Sequence, residues 1–156
     1  MSATLLIAQR ELKAYVRSPL GFVLAAAVLL GEGIWFMAKA MGSPGDKALS
    51  AQVLAETFNG ITGGTILACL IMSMRLIAVE EEQGTLILLK TSPISDRTVV
   101  AGKFLSVMVV LVLLSLLSAY MPALIFVNGK VSLGHIFVGY VGTLLLGASV
   151  TSIGLF

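Results

Sequence analysis

Apolar residues in this chain do not alternate with polar ones; they run on. Four stretches, at residues 20–41, 58–79, 104–127 and 135–156, are almost unbroken apolar sequence. Each is close to the ~20 residues a helix needs to cross a bilayer. The connections at 42–57, 80–103 and 128–134 are the polar parts, and the last contains the turn pair Asn128-Gly129. Ahead of the first run the pattern changes. Leu5, Ala8, Leu12 and Tyr15 recur every three or four residues, and Gln9, Arg10, Lys13 and Arg17 supply the other side. That period predicts an amphipathic helix over residues 2–17, lying along lipid headgroups with its basic side toward anionic lipid. Ser18-Pro19 breaks it before the chain turns into the bilayer. The alternative is a cytoplasmic extension of the first span.

Composition agrees with the pattern. Hydrophobic residues make up 58% of the 156, charged residues 12%, and mean hydropathy is +1.03. Water-soluble domains carry about 25% charged residues. The expected fold is therefore an all-α polytopic membrane protein, one domain over 1–156 with an interfacial helix and four transmembrane helices. A net charge of +2 without a basic cluster gives no footing for nucleic acid. The lone cysteine, Cys69, excludes an intrachain disulfide. A cleaved signal peptide ending near Ala38-Lys39-Ala40 is the competing view of the N-terminus. Its basic region would be too long and would carry Glu11, and Glu32 would interrupt its apolar core.

Basic residues set the expected orientation, because cytoplasmic loops hold an excess of Lys and Arg. With the N-terminus inside, Arg10, Lys13, Arg17, Arg75, Lys90, Arg97 and Lys103 lie on the cytoplasmic side and Lys39, Lys47 and Lys130 outside, seven against three. Residues 80–103 then form a cytoplasmic elbow. Glu80, Glu81 and Glu82 close the second span, and Gly84 permits a break. Thr85 to Lys90 is a short apolar turn carrying Leu86, Ile87, Leu88 and Leu89. Thr91, Ser92 and Pro93 break the chain again, and Ser95 caps the next helix with Asp96 in its first turn. Burying each of those leucines is worth about 1.5–3 kcal/mol, so the elbow lies on the membrane surface or docks into another protein.

The search for chemistry is otherwise negative. The pairs Gly102-Lys103 and Gly129-Lys130 lack the upstream glycine and the following hydroxyl of a phosphate loop. His135, the only histidine, reads as solvated or capping, and Ser149 has no histidine on a neighbouring helix to activate it. Gly147, Ala148 and Ser152, like Gly60 and Gly64, read as small residues that let helices approach. Two charges fall inside the spans. Glu32 either lines a pathway, bonds between helices, or sits nearer the outer surface; Arg75 lines a pathway or snorkels to headgroups.

The run MRLIAVEEEQGTLILLKTSPISDRTVVAGKFL, residues 74–105, resembles the signature region of ABC type-2 permeases, the membrane subunits of ATP-driven exporters. RELKAYVRSPLGF resembles that family's connecting helix and first span, and GHIFVGYVGTLLLGASVTSIGLF its fourth span. The gliding-motility and copper-maturation branch is the most similar. The resemblance implies no nucleotide site or cofactor in this chain, with ATP and Mg held by a partner ATPase subunit. It also implies a second permease copy or related permease as partner, a multi-pass place in the cell's inner membrane, and the elbow as the coupling helix. Family members usually have six spans, so four imply an incomplete domain. Glu32 belongs to no family motif. A secondary transporter and a non-catalytic membrane assembly subunit are the rival classes.

Overall fold

A computed structural model describes residues 3–40, 50–82, 96–128 and 132–155, and the described residues are nearly all helical. The helices are α1 (Ala3–Arg17), α2 (Pro19–Ala40), α3 (Ser50–Glu82), α4 (Asp96–Ser118), α5 (Tyr120–Asn128) and α6 (Leu133–Gly154). Four helical stretches are long and apolar enough to cross a membrane: Pro19–Lys39, Ala51–Leu76, Arg97–Ile125 and Leu133–Gly154. The all-α polytopic expectation holds.

Two boundaries differ from the apolar runs, each for a local reason. Helix α3 begins at Ser50, not near residue 58, because nothing in SAQVLAET breaks a helix once the Gly- and Pro-containing stretch 42–45 has passed. Thr57, inside that extension, returns its hydroxyl to the carbonyl of Val53 at 2.7 Å. The third run, expected as one helix over 104–127, is split at Ala119. Pro122 has no N–H for the carbonyl of Ser118, and its ring crowds that carbonyl, so α4 ends there. Ala119 N–H bonds back three residues to Leu116 and the helical path resumes as α5.

Helix α3 is the central post. It packs against α2 and α6, while α1 lies chiefly along α4 and α4 also meets α6. The core gathers Tyr15, Met72, Leu76 and Val107, from α1, α3 and α4, with Leu24, Val110 and Leu155 against them. Outward faces stay apolar: Phe22, Val23, Leu30 and Ile34 of α2 and Phe137, Val138, Leu145 and Ile153 of α6 are exposed. That surface suits lipid, not water.

Polar residues are buried instead, and most are small alcohols. Ser73, Ser106, Ser118, Thr143 and Thr151 each donate to a carbonyl three or four residues back, on Leu70, Lys103, Ser115, Tyr140 and Gly147. Their hydroxyls are thus satisfied within their own helices, and their small volume lets helices close up. At buried Gly147 of α6, an added Cβ would stand 2.6 Å from Leu111 Cδ1 and 3.4 Å from Cys69 Sγ. The expectation of close packing at Gly147 is met. Ser149 and Ser152 point outward and bond only to Leu145 and Ala148 of their own helix. Ser132 caps α6, accepting from His135 N–H and meeting its Nδ1 at 2.8 Å.

Candidate functional site

Two regions collect the functional candidates, one at each end of the bundle. At the first end, α1 is fastened to α3 and α4 beside the place where the elbow leaves. The Tyr15 hydroxyl donates to the carbonyl of Met72 at 3.1 Å. Arg75, one turn further along α3, donates from Nη2 to Ser18 Oγ at 2.7 Å, and its guanidinium lies 5.1 Å from the Tyr15 ring centroid. The side chain turns inward onto the α1–α2 corner, which differs from the expected snorkelling. Ser18 explains this: as the linker residue between two helices, it presents a hydroxyl within the guanidinium's reach.

Burial pushes the Tyr15 phenol up to about 12, with Arg75 opposing and Glu11 adding to the shift. It is therefore a protonated donor at any physiological pH.

Lys103 closes the same end. Its side chain is only 5% exposed, and Nζ donates to the carbonyl of Leu76 at 2.8 Å, joining α4 to α3. Gly102 beside it admits α1: an added Cβ would lie 2.8 Å from Ile7 Cγ2 and 3.1 Å from the Thr4 carbonyl. The buried face of α1 is thus Ala8 and Tyr15, with Thr4, Ile7, Glu11 and Leu12 half-buried, while Leu5 is exposed. Ala8 and Tyr15 of the apolar stripe are used against protein.

From this clamp α3 continues as helix through Glu80, Glu81 and Glu82, and α4 starts at Asp96. The chain's 33-residue α3 is about 50 Å long at 1.5 Å per residue, well beyond the ~30 Å of hydrocarbon. The acidic cluster closes that helix just past the apolar run, which ends at Val79. Gly84, Thr85, Leu86, Leu88, Leu89, Thr91, Ser92 and Pro93 lie outside the described residues, as does the proposed cap Ser95. The two helices that flank the elbow and the connecting helix all meet at this end.

At the opposite end α2 is pinned to α3. Trp35 Nε1 donates to the Glu56 carbonyl at 2.9 Å, Lys39 Nζ lies 3.4 Å from Glu56 Oε2, and Lys39 also sits 5.2 Å from the Trp35 ring centroid. Inward of this pin is Glu32, 7% exposed. Gly64 makes room for it: a Cβ there would stand 3.0 Å from Glu32 Oε1. Glu32 Oε2 is fully covered and has no hydrogen-bond partner. Glu32 is thus enclosed within the bundle, between α2 and α3. Behind it, Thr65, Ser115 and Ser118 line a cleft of about 10 Å³. In front of it a groove of about 520 Å³ runs between α2 and α3. Sequence reasoning found Glu32 but missed Lys103, whose only signal was a lysine in the first turns of an apolar helix.

Among the described residues, no three of His, Cys, Asp and Glu gather in a way that could hold a metal. The arrangement joins α1, α3 and α4 at one end of the bundle and holds a groove beside Glu32 between α2 and α3. No curated protein matches the chain. The family described as ABC-2 family transporter protein matches it over residues 5–156, which takes in both ends of the bundle. With four membrane-length helices and a match across nearly its whole length, the chain belongs to the ABC-2 family of transporter proteins and is an ABC transporter permease.

Proposed function

We propose that this permease converts ATP hydrolysis by a separate ATPase subunit into export of a substrate, through the elbow between α3 and α4. The observation that carries the reading is the clamp at the elbow's base. Lys103 ties α4 to α3 at Leu76, and Tyr15 and Arg75 tie α1 and Ser18 to the same turns of α3. A push on residues 83–95 would be delivered to both flanking helices together, not absorbed at a loose joint. ATP can bias a pore only through contacts that differ between its states, and a clamped pair of helices would carry such a bias from the elbow into the spans. In this reading the N-terminus and the elbow are cytoplasmic, the membrane is the inner membrane, and a second permease, identical or related, completes the path. ATP and Mg belong to the ATPase.

The test is reconstitution in proteoliposomes with a candidate ATP-binding-cassette ATPase subunit from the same genome. We expect the pair to co-purify and the permease to change the ATPase rate. Substrate should move away from the ATPase side only with hydrolysable ATP. Transport driven by an ion gradient without any ATPase would replace this reading with secondary transport.

A further inference from the structure

We propose that the groove between α2 and α3 is a binding site for an amphiphilic amine, entered from the side of the bundle, with Glu32 receiving the ammonium group. The groove, of about 520 Å³, lies within the range of small-molecule sites. Its walls are apolar, with Val23, Leu67 and Ile71 among them, and Glu32 is the one acidic residue. Gly31 leaves it open, since a Cβ there would meet nothing within 4 Å, while Gly60 and Gly64 let Trp35 and Glu32 lie close against α3 at its floor. An acyl or alkyl chain therefore finds a complementary surface along it.

The carboxyl supplies the selectivity. A charge removed from water is costly unless it is paired, and Glu32 has a fully covered Oε2 with no hydrogen-bond partner. The neighbouring basic residue on α2, Lys39, is held at Glu56 and over Trp35. Arg75 is bound to Ser18 at the other end. Glu32 lines the groove, so a ligand ammonium that reaches its carboxyl from there supplies the partner the chain does not. Glu32 lies eight residues before the end of α2 at Ala40, about 12 Å along the helix axis. That depth suits an amine whose head enters the hydrocarbon region, not a phospholipid headgroup held at the interface.

This site goes beyond the export reading, and binding is measured without any ATPase, so either can fail alone. Trp35, the only tryptophan, lines the groove and serves as reporter. The full 156-residue chain is placed in phosphatidylcholine vesicles, and its fluorescence is followed with 4-bromobenzylamine and, in parallel, the neutral 4-bromobenzyl alcohol. Both carry the bromine close to the head group and so within reach of Trp35, one turn from Glu32. We expect saturable quenching by the amine at concentrations at least about tenfold below those of the alcohol, as expected for a desolvated charge pair. Glu32→Gln should erase that difference while leaving the alcohol's weak quenching intact, which also reports that the variant is folded. Gly31→Leu, at a position where a Cβ meets nothing within 4 Å, should fill the groove and lower quenching by both probes with Glu32 in place. Equal quenching of the native chain by amine and alcohol would overturn the proposal. So would an absence of quenching by either, which would mean the groove is covered by protein. Displacement of the amine by added phosphatidylethanolamine would assign the site to the bilayer's own lipid and overturn it equally.

Discussion

Arg75 on α3 donates to the Ser18 hydroxyl at 2.7 Å, a bond between residues 57 positions apart that fixes the corner between α1 and α2 to the base of the longest helix. The bond is charge-assisted, and its donor also stacks over Tyr15. Removing it acts on two joints at once. Ser18→Ala deletes a single hydrogen bond, and Arg75→Met deletes that bond together with the ring contact. Bonds to charged groups contribute about 1.5–3 kcal/mol, so each variant should unfold at lower temperature, Arg75→Met more so. In a double-mutant cycle the pair should couple by about 0.5–3 kcal/mol. Detergent-solubilised thermal unfolding measures it, and strict additivity would show that the contact contributes nothing. Arg75→Lys should rescue only partly, because an ammonium lacks the planar face that lies over Tyr15.

Tyr15 makes an alkaline prediction. Its phenol is raised to about 12, first by burial, with Arg75 lowering and Glu11 raising it. An unfolded tyrosine ionises near about pH 10. The folded state thus holds its proton more tightly, and the stabilisation is complete below about pH 10. It is lost as pH rises through about 12. Melting temperature followed from neutral to alkaline pH should fall more steeply for the native chain than for Tyr15→Phe. The two chains differ only at this phenol, so the difference between their curves isolates Tyr15. Tyr15→Phe should also cost about 1 kcal/mol at neutral pH, through loss of the bond to the Met72 carbonyl.

Glycines on α6 separate packing from propensity. At Gly147 a Cβ would meet Leu111 Cδ1 at 2.6 Å and Thr65 Cγ2 at 3.3 Å, whereas at Gly142 it meets nothing within 4 Å. Gly147→Val should destabilise by about 1–3 kcal/mol through overpacking. Gly142→Ala should be neutral or stabilising, by up to about 1 kcal/mol from helix propensity alone. The same thermal assay ranks them, and equal effects at the two positions would contradict the docking of α6 against α3 and α4.

The spans were legible because lipid leaves the sequence little freedom: a crossing helix must be apolar over its whole length. What periodicity did not show is contact between helices. Lys103 counted only as a positive charge near the membrane edge, yet it is buried with its Nζ on Leu76. Periodicity shows Tyr15 only as one apolar position of an amphipathic helix, and its partner at Met72 is 57 residues away. Pro122 carried a plain helix-break signal, but a long apolar run hid it, since lipid demands continuity that a proline only kinks. Glu32 stood out as a charge in oil; the groove beside it did not, because it depends on where Gly60 and Gly64 of α3 face α2. The elbow motif was carried by likeness to a family, and the family match covers it.

The elbow makes the final prediction. Leu86, Ile87, Leu88 and Leu89 form an apolar run between two helices clamped at their base. If the run docks into a groove on the ATPase, placing Asp there brings an unpaired charge into an apolar contact, at a cost of several kcal/mol. The substitutions Leu86→Asp, Ile87→Asp, Leu88→Asp and Leu89→Asp are made singly, since only those facing the partner should matter. Insertion should survive in all four, because the spans and the Lys103–Leu76 bond are untouched. Co-purification of the ATPase, and the permease's effect on its rate, should fall at least about tenfold for the facing positions. Lys47→Asp, in the connection before α3, is the matched control and should leave association intact. Should all four elbow variants bind and transport normally, the elbow is a membrane-surface turn, and the push from ATP must enter the bundle elsewhere.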